Sequence, residues 1–227
     1  MNDQFKLEKH DGVAVLAFNR PEKRNPLNED SIGALYDHLM ALRDDADVRA
    51  LVLTGSGNAF CAGADLSHMK GVTDAAERVR LFSSVPARRR LLVRRTMELL
   101  TNLELPTIGA VNGYAVGGGW FLVLACDFRI AVDGAEFWMP EIDLGVPGPR
   151  EPERRLREEV GAARAKEIIL TCRHFKSVEL YQWGLLNRVV KKEELMPAAM
   201  ELARYLASRK RAAVLQAKAQ INGFTLD

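Results

Sequence analysis

Three glycines, Gly117 to Gly119, lead straight into Trp120-Phe121-Leu122-Val123-Leu124-Ala125, and no charged side chain follows until Asp127. A run this apolar belongs in a core. The chain must turn at the glycines and enter a buried element, which reads as a helix. "PTIGAV" before the turn reads as a buried strand. The same grammar occurs upstream, where the compact strand "ALVLTG" leads into the small-residue loop "GSGNAFCAGADLSHM". In folds with parallel strands, loops that follow strands are where ligands sit.

The rest of the chain alternates in the same way. "FKLEK" and "VAVLAF" predict two strands around a turn at His10-Asp11-Gly12. Ile32, Leu35, Tyr36, Leu39 and Leu42 recur at helical spacing, with Asn28 placed to cap that helix. Residues 74 to 100 read as helical with a break near Pro86. "FRIAV" and "AEFWM" predict strands. "PERRLREEVG" and "AARAKEIILT" predict helices, and "SVELYQWGLLNRVV" a small helix turning into a strand. A helix over Lys192 to Arg209 is the last that the pattern defines clearly. Strands separated by helices throughout make this an α/β chain with a partly parallel, layered sheet.

Composition narrows the partners. The chain has 227 residues, 48% hydrophobic and 27% charged, with a formal net charge of +2. That balance predicts a globular protein and gives no footing for nucleic-acid binding. Cys61, Cys126 and Cys172 have no paired spacing, so neither a disulfide framework nor a zinc site is expected. The first residues, "MNDQFKLEKHDG", lack the apolar segment of a secretory signal, and no apolar stretch is long enough to span a membrane. A cytoplasmic protein without a membrane partner is the expectation.

Two features carry chemistry. The first turn of a buried helix at Gly118 leaves backbone N–H groups without partners, and the helix dipole adds positive charge there. A second N–H from the "CAGAD" loop, that of Ala64, would complete a site for a developing oxyanion. The other feature is Glu141 in "FWMPE". A carboxylate among aromatic and aliphatic groups has a raised pKa and can take a proton from carbon and return it. A partly exposed turn glutamate is the plainer alternative. Asp65, Asp127 and Asp143 are weaker candidates, and none of His10, His38, His68 and His174 has a nucleophile–base setting. The arginine-rich stretch at 88 to 95 could meet phosphates, face solvent or rim a subunit contact.

"VAVLAFNRPEKRNPLN", "FCAGADL", "LPTIGAVNGYAVGGGWFLVLACDFRIA" and "AEFWMPEIDLG" together resemble the enoyl-CoA hydratase/isomerase (crotonase) superfamily over nearly the whole chain. The resemblance implies a ClpP/crotonase-like spiral of stacked ββα units, with a core over 1–190 and a shortened C-terminal helical segment over 191–227. It implies acyl-CoA substrates, coenzyme A entering as part of the thioester and no permanently bound cofactor or metal. The thioester carbonyl would be held by the N–H groups of Ala64 and Gly118. Ala62, Gly63, Ala64, Asp65 and Leu66 would line the adenine and pantetheine side, with Lys23 and Arg24 near the coenzyme phosphates. A homotrimer or dimer of trimers is implied. Hydratases of the family use two glutamates around one water; here the first falls at Phe121 and the second at Glu141. A single glutamate suits the isomerisation of a 3-enoyl to a 2-enoyl thioester. Hydration, carbon–carbon bond formation, hydrolysis and CoA-ester binding without turnover are the alternatives. "PGPREPERR" stands where the family has a glycine-rich turn.

Overall fold

The computed structural model describes residues 4–67, 71–72, 74–145 and 150–223. His68 and the "PGP" of the altered turn lie outside them. The chain opens with a hairpin, β1 (Phe5–His10) and β2 (Val13–Phe18), whose two-residue turn puts Asp11 and Gly12 at φ 52° and 76°. That left-handed pair matches the twist of the two strands. Helix α1 (Glu29–Asp44) follows, and Asn28 caps it as expected: its side chain accepts from Ser31 N–H while Ser31 Oγ accepts from Asn28 N–H.

Three similar windings come next. β3 (Ala50–Gly55) and β4 (Ala59–Cys61) lead to α2 (Ala75–Ser83) and α3 (Ala87–Thr101). β5 (Thr107–Val111) and β6 (Tyr114–Val116) lead to α4 (Gly118–Ala125). β7 (Phe128–Val132) and β8 (Glu136–Trp138) lead to α5 (Arg150–Thr171), broken at Gly161 into the two helices expected. In each winding the first strand joins one sheet and the second joins another. Among the described residues the larger sheet runs β1-β2-β3-β5-β7-β10, with β10 at Arg188–Val190. The smaller runs β4-β6-β8-β9, with β9 at Phe175–Lys176. Apart from the outer pairs β1–β2 and β8–β9, all pairings are parallel. This is the α/β spiral of ββα units. The core fills between the layers, with Trp120 packed on Phe137 and Phe175. No described helix is long and apolar enough to cross a membrane.

After the small helix α6 (Ser177–Gln182), the predicted helix from Lys192 begins as a 3-10 turn over Lys192–Glu194 and becomes α7 (Leu195–Ala207), packed across the larger sheet. An eighth helix, α8 (Arg211–Asn222), was not anticipated. It buries only Ala219 fully, so its sequence carries no apolar stripe. Polar contacts dock it instead. Lys218 donates to Leu105 O at 2.9 Å and to Asp127 at 2.7 Å, and Asn222 donates to Thr101 O at 3.0 Å. Burial lowers the Lys218 pKa, opposed by Asp127. Removing one partner leaves the other charge buried, so Lys218→Ala should cost about 3 kcal/mol in urea unfolding and speed hydrogen exchange across 211–222.

Candidate active site

The two glycine loops meet. Gly63 lies at φ 77°, and a methyl on its α-carbon would sit 2.5 Å from Val116 O and 3.6 Å from Gly118 N. Gly119 is equally close to the first loop: a methyl there would lie 2.4 Å from Cys61 O. Only glycine permits this backbone approach. The first loop is held from its other side. Ala62 N–H donates to Arg24 O, Leu27 N–H to Gly63 O at 2.7 Å, and Asp65 N–H to Leu27 O at 2.8 Å, forming a parallel bridge between Leu27 and Ala64. In such a bridge the polar groups of Ala64 turn away from Leu27. Ala64 N–H accordingly makes no hydrogen bond with any described residue, and neither does Gly118 N–H at the start of α4. The loops that carry these two backbone groups are brought together.

The far end of α4 is fixed by cations. Arg129 donates to the carbonyls of Val123 and Leu124, and Arg155 donates to Leu124 O. Arg129 also pairs with Glu159 of α5. These contacts satisfy the helix's last carbonyls and hold its axis, and so the direction of Gly118 N–H.

Glu141 sits just beyond β8. Pro140 precedes it, and Gly117 N–H donates to Trp138 O at 2.9 Å, tying the strand's end to the glycine turn. The carboxylate lies over Gly117, where a methyl would come within 2.7 Å of Oε1. Its Oε2 is buried without a hydrogen-bond partner among the described residues. Burial raises the pKa to about 7, with a smaller contribution from Glu153. One turn along α4 from Gly117, on the same face, is Phe121, buried at 2% exposure. An aromatic ring thus stands where a second carboxylate was looked for. The turn after Glu141 closes against α2: a methyl on Gly145 would meet Val79 Cγ2 at 2.6 Å.

The raised pKa has a sign. The fold favours the neutral acid, so the contribution is fully present below pH 4.5 and is lost as pH rises through about 7. Glu141→Gln should therefore gain stability over the wild type by about 3 kcal/mol between pH 4 and pH 8. Chemical denaturation of both proteins at the two pH values checks this.

The other predicted contacts spread around this centre. Lys23 and Arg24 are exposed on the loop that pairs with Ala62, and Arg24 lies 5.3 Å from the Tyr114 ring centre. Asp65 faces Arg20 at 3.7 Å, and Leu66 is half-buried. The arginine stretch has local partners: Arg88 pairs with Glu29, Arg89 reaches Leu27 O at 3.4 Å, and Arg90 donates to Val85 O. Asp127 pairs with Lys218 and Thr107, away from reaction chemistry. His174 stacks on Trp138, and His10 lies beside Glu8 on the surface. No group of three or more metal-ligating side chains exists among the described residues. Sequence reasoning missed Asn25, buried at 1% exposure and the best-bonded side chain beside the first loop. Its signal was slight: a small amide in a proline-bounded loop, a residue type that tolerates left-handed backbone.

A spiral of ββα units with two glycine loops packed together is the fold that the resemblance to the crotonase superfamily implied. The sequence profile described as enoyl-CoA hydratase/isomerase matches residues 8–225. A crotonyl-CoA hydratase of Syntrophomonas wolfei is 38% identical over 95% of this chain and 80% of its own length. The crystal structure of an enoyl-CoA hydratase from Bacillus anthracis superposes with a TM-score of 0.86 at 34% identity, covering 97% of this chain and 83% of that one. That of a monofunctional enoyl-CoA isomerase from M. smegmatis gives 0.80 at 29% identity, covering 96% and 92%. The chain belongs to the enoyl-CoA hydratase/isomerase family and is an enzyme of it.

Proposed function

We propose that this enzyme moves the double bond of a 3-enoyl-CoA to the 2-position through a thioester enolate, with Glu141 as the only proton carrier. The observation that carries the reading is the desolvated Glu141 carboxylate, its pKa raised to about 7 chiefly by burial, with Phe121 on the adjoining helix face. The substrate's thioester oxygen would accept from Ala64 and Gly118 N–H. The Glu141 carboxylate removes a proton from C2, and the negative charge that develops on the oxygen is stabilised most as it forms. The resulting carboxylic acid returns the proton at C4, and the double bond comes to rest between C2 and C3. Lys23 and Arg24 would meet the coenzyme's phosphates, and Ala62 to Leu66 would line its pantetheine and adenine.

Phe121 supports isomerisation over hydration, because a phenyl ring cannot orient or deprotonate water. Hydration is the second reading, favoured by the names of the relatives. Incubation with a 3-enoyl-CoA separates the two. A conjugated 2-enoyl product without added water is expected; rapid conversion of either isomer to a 3-hydroxyacyl product overturns the isomerase reading. A trimer or dimer of trimers is part of the same proposal, checked by light scattering.

A further inference from the structure

We infer that Asn25 is a positioning residue that sets the direction of the Ala64 N–H. The inference rests on the reading of Ala64 as an oxyanion donor. Asn25 sits at φ 57° next to Arg24 at φ 60°, so two successive non-glycine residues hold left-handed backbone. Such conformations are costly and persist where surrounding bonds enforce them. The bonds are these. Asn25 Oδ1 accepts from Arg20 N–H at 2.9 Å, and Asn25 N–H donates to Arg20 O at 2.9 Å. Its Nδ2 donates to Ser56 O at 3.0 Å, Ala59 O at 2.8 Å and Phe60 O at 3.3 Å. One buried amide thus ties the Arg20–Leu27 loop to both ends of the turn between β3 and β4.

The consequence reaches the site through backbone alone. β4 ends at Cys61, and the next four residues pair with the loop that Asn25 anchors: Ala62 N–H to Arg24 O, then Leu27 N–H to Gly63 O and Asp65 N–H to Leu27 O. Leu27 also lies beside Gly118, where a methyl would come within 3.1 Å of Leu27 Cδ1. Moving the Asn25 loop therefore shifts the Ala64 peptide, which that loop holds from one side. Lys23 and Arg24 sit on the same loop, so carbonyl polarisation is read with the protein saturated in CoA ester, where it separates from affinity.

The test uses the full-length chain and an aryl-conjugated 2-enoyl-CoA, whose absorbance moves to longer wavelength when its carbonyl is polarised. Asn25→Gly keeps the left-handed backbone and removes the side-chain bonds. Asn25→Asp keeps the acceptor for Arg20 and sets a carboxyl oxygen against the carbonyls of Ser56, Ala59 and Phe60, so the two variants break the same three bonds in different ways and one remains informative if the other fails to fold. Leu42→Ala, at the far end of α1, serves as a destabilised control. In both Asn25 variants, saturated with ester, most of the red shift should vanish, and exchange of the C2 proton, read separately on a 3-enoyl-CoA, should slow by about tenfold or more. Leu42→Ala should keep both signals. A wild-type red shift and exchange rate in a folded Asn25 variant, or an equal loss in Leu42→Ala, overturns the inference alone. Absence of any red shift in the wild type overturns the oxyanion reading with it.

Discussion

Replacing Glu141 with Gln should lower turnover of a 3-enoyl-CoA by about 10³-fold while leaving the dissociation constant for the CoA ester within about threefold. The amide has nearly the shape of the carboxyl group and cannot carry a proton between carbons. Its place over Gly117 is retained, so binding should hardly change. Phe121, buried on the neighbouring helix face, supplies no second carboxylate there. The pH profile follows from the same group. A base must be ionised, so kcat/KM in the wild type should rise with pH and level off above about 7, following the carboxylate that burial holds there. Stability runs the other way, falling as that carboxylate ionises. One buried group thus sets activity and stability against each other across the same pH interval, and kinetics and denaturation on the same preparation should show both trends.

Gly63→Ala is the second large effect. A methyl there meets Val116 O at 2.5 Å, and that oxygen belongs to backbone which cannot swing aside. The two loops must part, and Ala64 and Gly118 with them. Loss of one aligned donor costs about 10²-fold or more in kcat. The φ of 77° adds backbone strain of about 1–2 kcal/mol. Gly134→Ala isolates that second contribution, since Gly134 has a φ of 78° and open space where the methyl would go. It should lose stability and keep its rate. Thermal melts and steady-state kinetics on the two variants separate strain from geometry.

The candidate site's parts were legible because they are residues with strong local signatures. Glycines entering an uncharged helix mark a close backbone approach. A glutamate after proline in an aromatic segment marks a desolvated carboxylate. Asn28, the Asp11-Gly12 turn and the break at Pro86 were legible for the same reason, each acting within a few residues of itself. Most of the smaller sheet was hidden. β8 was expected in "AEFWM", but β4 and β6 are three residues each, too short to show a period, and exist because neighbouring windings stack. α8 was hidden because Lys218 and Asn222 dock it by polar contacts to distant carbonyls. Asn25 was hidden because its partners lie 31 to 35 residues away. Local pattern thus gave the parts of the site, and long-range hydrogen bonds gave their alignment.

The central claim is that one carboxylate makes and quenches an enolate beside two backbone donors. The most direct measurement is mass spectrometry of a 3-enoyl-CoA incubated with the enzyme in deuterated water, with Glu141→Gln in parallel. The account predicts a conjugated 2-enoyl product with no added oxygen, deuterium only to the extent that the Glu141 acid exchanges before it returns its proton, and loss of both rearrangement and exchange in the Gln variant. A 3-hydroxyacyl product, or exchange that survives in Glu141→Gln, would contradict it.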